Sequence, residues 1–146
     1  MLTITHATTT HLHDLTPLFD GYRSFYRQAS DLDGAKIFLQ ERLAKKDAVI
    51  FIAYKNETPV GFTQLYPLFS SVSMQPMYLL NDLYIHPDYR SQGIGEALIN
   101  KAKALCKTEG QKGLAIQTES DNRAQHLYQR LGFEPDGDLH FFWICA

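Results

Sequence analysis

Cysteine is scarce: Cys106 and Cys145 are the only two in 146 residues. That number, at that separation, excludes a disulfide framework and a thiolate metal site, and the expectation is two buried free thiols. Neither charge dominates, with 14 basic against 16 acidic side chains and a net of -2, so the broad basic face that nucleic acid demands is missing. No apolar run approaches the ~20 residues that span a bilayer. The first residues, M-L-T-I-T-H-A-T-T-T, lack the charged start and apolar centre of a signal peptide. A cytoplasmic protein without a membrane partner is expected. Internal repeats, low-complexity segments and linker-like stretches are also absent. His11 and His13 lie two residues apart, on different faces of any helix, and no metal site is predicted.

What is present is an ordinary globular composition, 45% hydrophobic and 21% charged, of a length that fits one domain over residues 1–146. Residues 2–7 alternate as a strand, and Thr8 to Thr10 offer a cap. Leu12, Leu15, Leu18, Phe19, Tyr22, Phe25 and Tyr26 then recur at helical spacing. The aromatic end of this helix places Phe25 in the core, while Tyr22 and Tyr26, with hydroxyls that favour a half-wet site, are candidates to wall a substrate pocket. A second helix runs from Gly34 to about Lys45, with Asp31 and Asp33 at its positive end. The run from Ala48 to Tyr54 is almost wholly apolar and predicts a strand covered on both faces. A turn at 56–59 and the strand Val60 to Leu68 complete a hairpin that leads, through a serine-rich turn, into Leu79–Ile85.

That last strand organises the chain. Its alternation puts Asp82 and Tyr84 on one face and Leu83 and Ile85 on the other. Pro87 stops it. After Arg90 come Gly93-Ile94-Gly95, and then Ile94, Ala97, Leu98, Ala102 and Leu105 at the spacing of an amphipathic helix to Glu109. The first amides of a helix lack internal partners and carry the positive end of its dipole, so they can hold phosphate oxygens. Glycines let that backbone come close, and a guanidinium beside it adds forked charge. Gly113 to Thr118 predicts a strand parallel to Leu79–Ile85. Asn122 predicts the cap of a further helix, with Gln125 in the reciprocal position of a capping box and Ala124, Leu127, Tyr128 and Leu131 as its apolar stripe. Leu139–Cys145, L-H-F-F-W-I-C, predicts a closing strand.

The run Arg90-Ser91-Gln92-Gly93-Ile94-Gly95 resembles the Arg/Gln-x-x-Gly-x-Gly/Ala motif of the GNAT superfamily of acyl-CoA-dependent N-acetyltransferases. The block from Asn122 to Phe133, N-R-A-Q-H-L-Y-Q-R-L-G-F, resembles that superfamily's second element in order and distance. The likeness spans about residues 48 to 134. It implies an α/β fold in which a mixed, mostly antiparallel sheet carries helices on both faces, in the order β-α-α-β-β-β-α-β-α-β. The resemblance also implies acetyl-CoA as cosubstrate, its pyrophosphate on Arg90, Ser91, Gln92, Gly93, Ile94, Gly95 and Glu96. The pantetheine arm would pair with Leu83, Tyr84 and Ile85, where a bulge and a splayed neighbouring strand open a slot, and Asn122 would sit at its mouth. An amide of Leu83 or Tyr84 would meet the oxyanion. Tyr128 is matched to the family's general acid, and Asp82 is the best carboxylate for a base.

A base has work to do, because an alkylamine of pKa about 10.4 costs roughly 4.6 kcal/mol to present neutral at pH 7. Glu119 and Asp121 are weaker candidates. Within the superfamily, Y-P-L-F-S at 66–70 and L-L-N-D-L-Y-I at 79–85 are similar to the diamine and polyamine acetyltransferases, which hold an acid where this chain has Asn81. A cationic acceptor beside Asn81 and Asp82 would therefore lose one counter-charge. The expected activity is acetyl transfer to a primary amine of a small molecule or an exposed lysine by direct attack in a ternary complex. The alternative is a non-catalytic acyl-CoA sensor. A dinucleotide-binding domain is excluded, since Leu98 replaces the third glycine of G-x-G-x-x-G. Phe141, Phe142, Trp143 and Ile144 in succession exceed what one internal face can bury, which predicts a homodimer using this segment.

Overall fold

Alternating apolar residues in the first half of the chain build the sheet against which the site is assembled. A computed structural model describes residues 1–145. Its elements are β1 (Leu2–His6), α1 (Leu12–Phe25), α2 (Leu32–Lys45), β2 (Val49–Lys55), β3 (Thr58–Ser70), β4 (Gln75–Ile85), α3 (Ile94–Thr108), β5 (Leu114–Ile116) and α4 (Ala124–Arg130). The five strands lie in chain order, β1 to β4 antiparallel and β5 parallel to β4. This is the mixed, mostly antiparallel sheet that the sequence implies.

Both faces are covered. Ile50, Ile52 and Phe62 pack under Leu15, Leu18 and Phe19 of α1 and Ala35 and Leu39 of α2. Phe51, Ala53, Val60, Leu65 and Leu80 pack under Ile94, Leu98, Ile99, Ala102 and Cys106 of α3 on the other side. The continuous apolar run of β2 is thereby explained, since its successive residues serve two separate cores. Local signals start the helices as expected. Thr8 and His11 form a reciprocal cap before α1, and the Asp31 carboxylate accepts from the Gly34 amide at 2.9 Å.

Three expectations for the C-terminal part of the chain are corrected. Leu139–Cys145 forms no strand, and Leu139, Phe141, Phe142, Trp143 and Ile144 are 75 to 84% exposed. The physical reason is the neighbour on offer: β5 has three residues, too short an edge to template a seven-residue partner. Cys145 consequently lies exposed, whereas Cys106 is buried as expected. The expected capping box of α4 is also not formed. Asn122 does cap, accepting from the Ala124 amide at 2.9 Å, but its own amide donates to the Glu119 carbonyl. The Gln125 side chain therefore turns to the Ser120 carbonyl instead, at 2.7 Å.

Candidate active site

A single displaced residue in β4 shapes the site. Gln64 pairs with Asp82 and Leu65 with Leu80, so Asn81 is extra and bulges. The sequence reading places this bulge farther along, at Leu83 to Ile85. The bulge lets both Leu80 and Leu83 face α3 while Asp82 and Tyr84 face α1, keeping the predicted division of the last four residues. Immediately before it, β5 stops: its pairing with β4 covers Tyr78, Leu79 and Leu80 only. Beyond Leu80 the outer edge of β4 is open. The Asn81 and Ile85 carbonyls on that edge accept from side chains, the Tyr22 hydroxyl at 3.2 Å and Arg90 Nε at 3.0 Å. A strand turns alternate residues to one edge, so Leu83 shares the open edge with Ile85, and Tyr84 faces β3, where its carbonyl approaches Gly61.

The open edge leads to the start of α3. Gly93 caps that helix with φ +82 and no side-chain bond to its first amides. An ideal Cβ on Gly93 would meet nothing within 4 Å, so the amides open onto free space. They line a cleft of about 230 Å³ with Ile85, Arg90, Ser91 and Gly95. A left-handed residue without a Cβ, ahead of uncapped amides, fits a phosphate group. Glu96 adds a carboxylate to the same cleft and is paired with Arg130 at 3.2 Å. The Gln92 side chain accepts from Lys55 Nζ. Sequence reasoning missed Arg130 and Lys55; the one available signal was Glu96 itself, an acid in an anion site that calls for a counter-charge. Arg90 sits at the mouth, but its guanidinium lies 5.7 Å from both the Phe25 and Tyr84 rings. This accounts for Phe25, which is 50% exposed and not the core residue expected.

Across the sheet face, Asp82 is buried at 3% exposure. Gln64 Nε2 donates to one of its oxygens and Asn81 Nδ2 to the other, the latter at 2.9 Å, and the Tyr22 hydroxyl, which donates to the Asn81 carbonyl, faces the same carboxylate. Burial raises the Asp82 carboxyl above the usual range, against the opposing pull of Gln64, Tyr22 and Asn81. Tyr22 stacks edge-on to Tyr26 at 5.1 Å and to Phe62 at 5.9 Å. Tyr26 accepts from Asn122 Nδ2 at 3.5 Å, which ties the aromatic end of α1 to the start of α4. Tyr128 packs on Phe133, and burial, then the neighbouring Tyr26, pushes its hydroxyl up to about 12. Glu119, near Tyr26, is held by Arg27 at 3.3 Å.

The structure thus brings together Tyr22, Tyr26, Asn81, Asp82 and Asn122, with Tyr128 beside Tyr26. A second cavity, about 300 Å³, lies elsewhere, between the end of α3 and the outer side of β5 at Cys106, Gly113 and Phe133.

A strand edge left unpaired beside an uncapped helix start, on a mixed five-stranded sheet, is the arrangement of an acyl-CoA-dependent acetyltransferase. The profile of the acetyltransferase (GNAT) family matches residues 12–133, and the chain belongs to that family. It is 48% identical over 142 residues to the uncharacterized N-acetyltransferase YhfO of Bacillus subtilis (strain 168), covering 96% of this chain and 95% of that one. The crystal structure of a probable acetyltransferase superposes with a TM-score of 0.91 at 35% identity, over 99% of this chain and 97% of the other. An aminoglycoside N-acetyltransferase in complex with CoA shares the fold, with a TM-score of 0.84 at 21% identity and coverage of 100% and 96%.

Proposed function

We propose that residues 1–146 act as one catalytic domain that acetylates a primary amine, carried by a small molecule or an exposed lysine, by direct attack in a ternary complex. The observation that carries this reading is the Tyr22 hydroxyl on the Asn81 carbonyl, beside buried Asp82 at the bulge where the open edge of β4 begins. The amides of Ile94, Gly95 and Glu96, with Ser91, Gln92 and Arg90 beside them, would hold the pyrophosphate of acetyl-CoA. Leu83, Tyr84 and Ile85 would receive the pantetheine arm, and Asn122 stands at the slot's mouth. Bound there, acetyl-CoA supplies an activated acyl thioester.

The chain's own groups supply the rest. The Leu83 amide, on the open edge, would donate to a developing oxyanion. Tyr128 Oη keeps its proton at neutral pH and can give it to a departing sulfur. Asp82, in its ionised form, is the proton acceptor for an incoming ammonium, and Tyr22 and Tyr26 form the wall of the acceptor pocket. Asn81 donates its amide to Asp82 and adds no charge, so the pocket holds one acid where a polyamine would favour two. Thiol release from acetyl-CoA, screened with polyamines, amino acids, aminoglycosides and lysine peptides, tests the reading. Turnover with a member of the panel supports it. Tight acetyl-CoA binding with no thiol release from any of them would favour the acyl-CoA sensor instead.

The expected setting is cytoplasmic. Among the described residues no helix is long and apolar enough to cross a membrane. A second copy of the chain is the expected cover for Leu139, Phe141, Phe142, Trp143 and Ile144. These side chains offer on the order of 800 Å², about what each partner of a standard interface buries.

A further inference from the structure

Asp82 poses a problem of access. It is the carboxylate assigned above to take the acceptor's proton, yet it is buried and both of its oxygens already accept from neighbouring amides. An amine reaching for it would have to displace part of the sheet. The Tyr22 hydroxyl has the missing reach. It donates to the Asn81 carbonyl at 3.2 Å, at the point where β4 and β5 part, and from α1 it faces the Asp82 carboxylate one residue along the strand. That carbonyl belongs to the bulge, so the hydroxyl stands between the open slot and the buried acid.

The surroundings suit proton traffic along this line. Tyr22 faces Asp82 from α1 and Tyr26 from just past its end, Gln64 and Tyr66 from β3, and Asn81 from its own strand. Beyond Tyr26, Glu119 is paired with Arg27. Among the described residues no lysine, arginine or histidine pairs with Asp82, so its charge has no resident counter-ion and a cationic amine is the natural partner. Gln64 is fully buried, and its Oε1 has no hydrogen-bond partner. A buried amide left half unsatisfied has a cost, and its observed product is one firm bond to the carboxylate.

We propose that the Tyr22 hydroxyl relays the acceptor's proton to Asp82, and that Gln64 is a positioning residue that holds the receiving carboxylate. The N–H bond of the ammonium breaks as an O–H bond forms on Tyr22 Oη. The original O–H bond of Tyr22 breaks as one forms on an Asp82 oxygen. Tyrosine begins and ends neutral, so its hydroxyl, which burial holds far above the ordinary range, need never ionise. The products are a neutral amine and a carboxylic acid, and the amine then attacks the acyl carbon. This inference rests on the assignment of Asp82 as the base.

Tyr22→Phe deletes the relay and keeps the ring against Phe62 and Tyr26. Its first test needs no cosubstrate: carboxyl-carbon NMR of aspartate-labelled protein follows the Asp82 titration, identified by its loss in Asp82→Asn. Gln64→Met removes a donor to the carboxylate and Tyr22→Phe removes the hydroxyl dipole that faces it, so each should move that titration to higher pH, while Tyr54→Phe, whose hydroxyl serves Asp14, should leave it in place. The second test uses n-butylamine, protonated at pH 7, and methoxyamine, already neutral, as acceptors with acetyl-CoA. Tyr22→Phe should lower kcat/KM for butylamine by about 10²-fold and for methoxyamine by no more than about 3-fold. Gln64→Met should shift the acidic limb of the butylamine pH profile upward. Equal losses for both amines, or an unmoved Asp82 titration in Tyr22→Phe, would overturn the relay. Should wild type acetylate neither amine, the titration alone decides. Full butylamine activity in Asp82→Asn would instead sink the assignment of the base. Loss of activity in Asp82→Asn with none in Tyr22→Phe would sink the relay alone.

Discussion

Tyr128 separates packing from chemistry because its ring and its hydroxyl do different things. The ring packs with Phe133, and among the described residues the hydroxyl has no hydrogen-bond partner. Tyr128→Phe should therefore fold normally and bind acetyl-CoA nearly as well, while turnover falls by about 10²-fold or more. Steady-state rates beside calorimetric affinities check this, and unchanged turnover with chemistry rate-limiting returns Tyr128 to the core. Asp82 carries a cost in stability. Its folded pKa lies above the unfolded value, so the native state keeps a proton that the unfolded chain releases between the two. Stability is highest below the ordinary aspartate range, falls as pH rises through the folded value, and stays lower above it. Asp82→Asn cannot ionise, and it should melt at a higher temperature than wild type near pH 7 while losing activity. Thermal melts at about pH 4 and about pH 7 read the difference, which should narrow at the lower pH.

At the scale of elements, the site depends on how α3 begins and on where β4 stops being paired. Gly93 stands in the left-handed region with open space around it, so Gly93→Asp adds backbone strain and a carboxylate just where phosphate meets bare amides. Gly95→Asp adds the charge at an ordinary 3.5 Å contact with Leu127, without the strained φ. Both should abolish acetyl-CoA binding by calorimetry. Near wild-type affinity in folded Gly95→Asp would remove the phosphate cradle from this helix. The rest of α3 secures that start from below. Leu98, fully buried between α3 and the sheet, should cost about 2 to 5 kcal/mol when cut to alanine, measured by urea unfolding. The amphipathic period of α3 was legible because its buried positions recur every three or four residues. The bulge was not legible at its true place, since nothing in L-L-N-D-L-Y-I says which residue the opposing strand will skip.

For the molecule as a whole, the exposed segment from Leu139 to Ile144 is the feature that a lone chain leaves unsettled. Sedimentation at micromolar concentration should show a dimer, and removal of residues 139–146 should leave a monomer; a full-length chain that sediments at its 16.7 kDa mass would refute the pairing. Sequence alone determined the elements as far as α4, the two-sided burial of β2, the G-x-G helix start and the shared face of Asp82 and Tyr84. These follow from periods of two and of 3.6 residues and from caps a few residues long, all of them local. Tertiary structure decided that Tyr22 meets Asp82 across 60 positions of chain, that Gln64 holds the same carboxylate, that Arg90 lies between Phe25 and Tyr84, and that Arg130 answers Glu96. It also left 139–145 without a strand to join. Such contacts are set by register and by which edges find partners, and one skipped residue in a strand turns every later side chain to the opposite face.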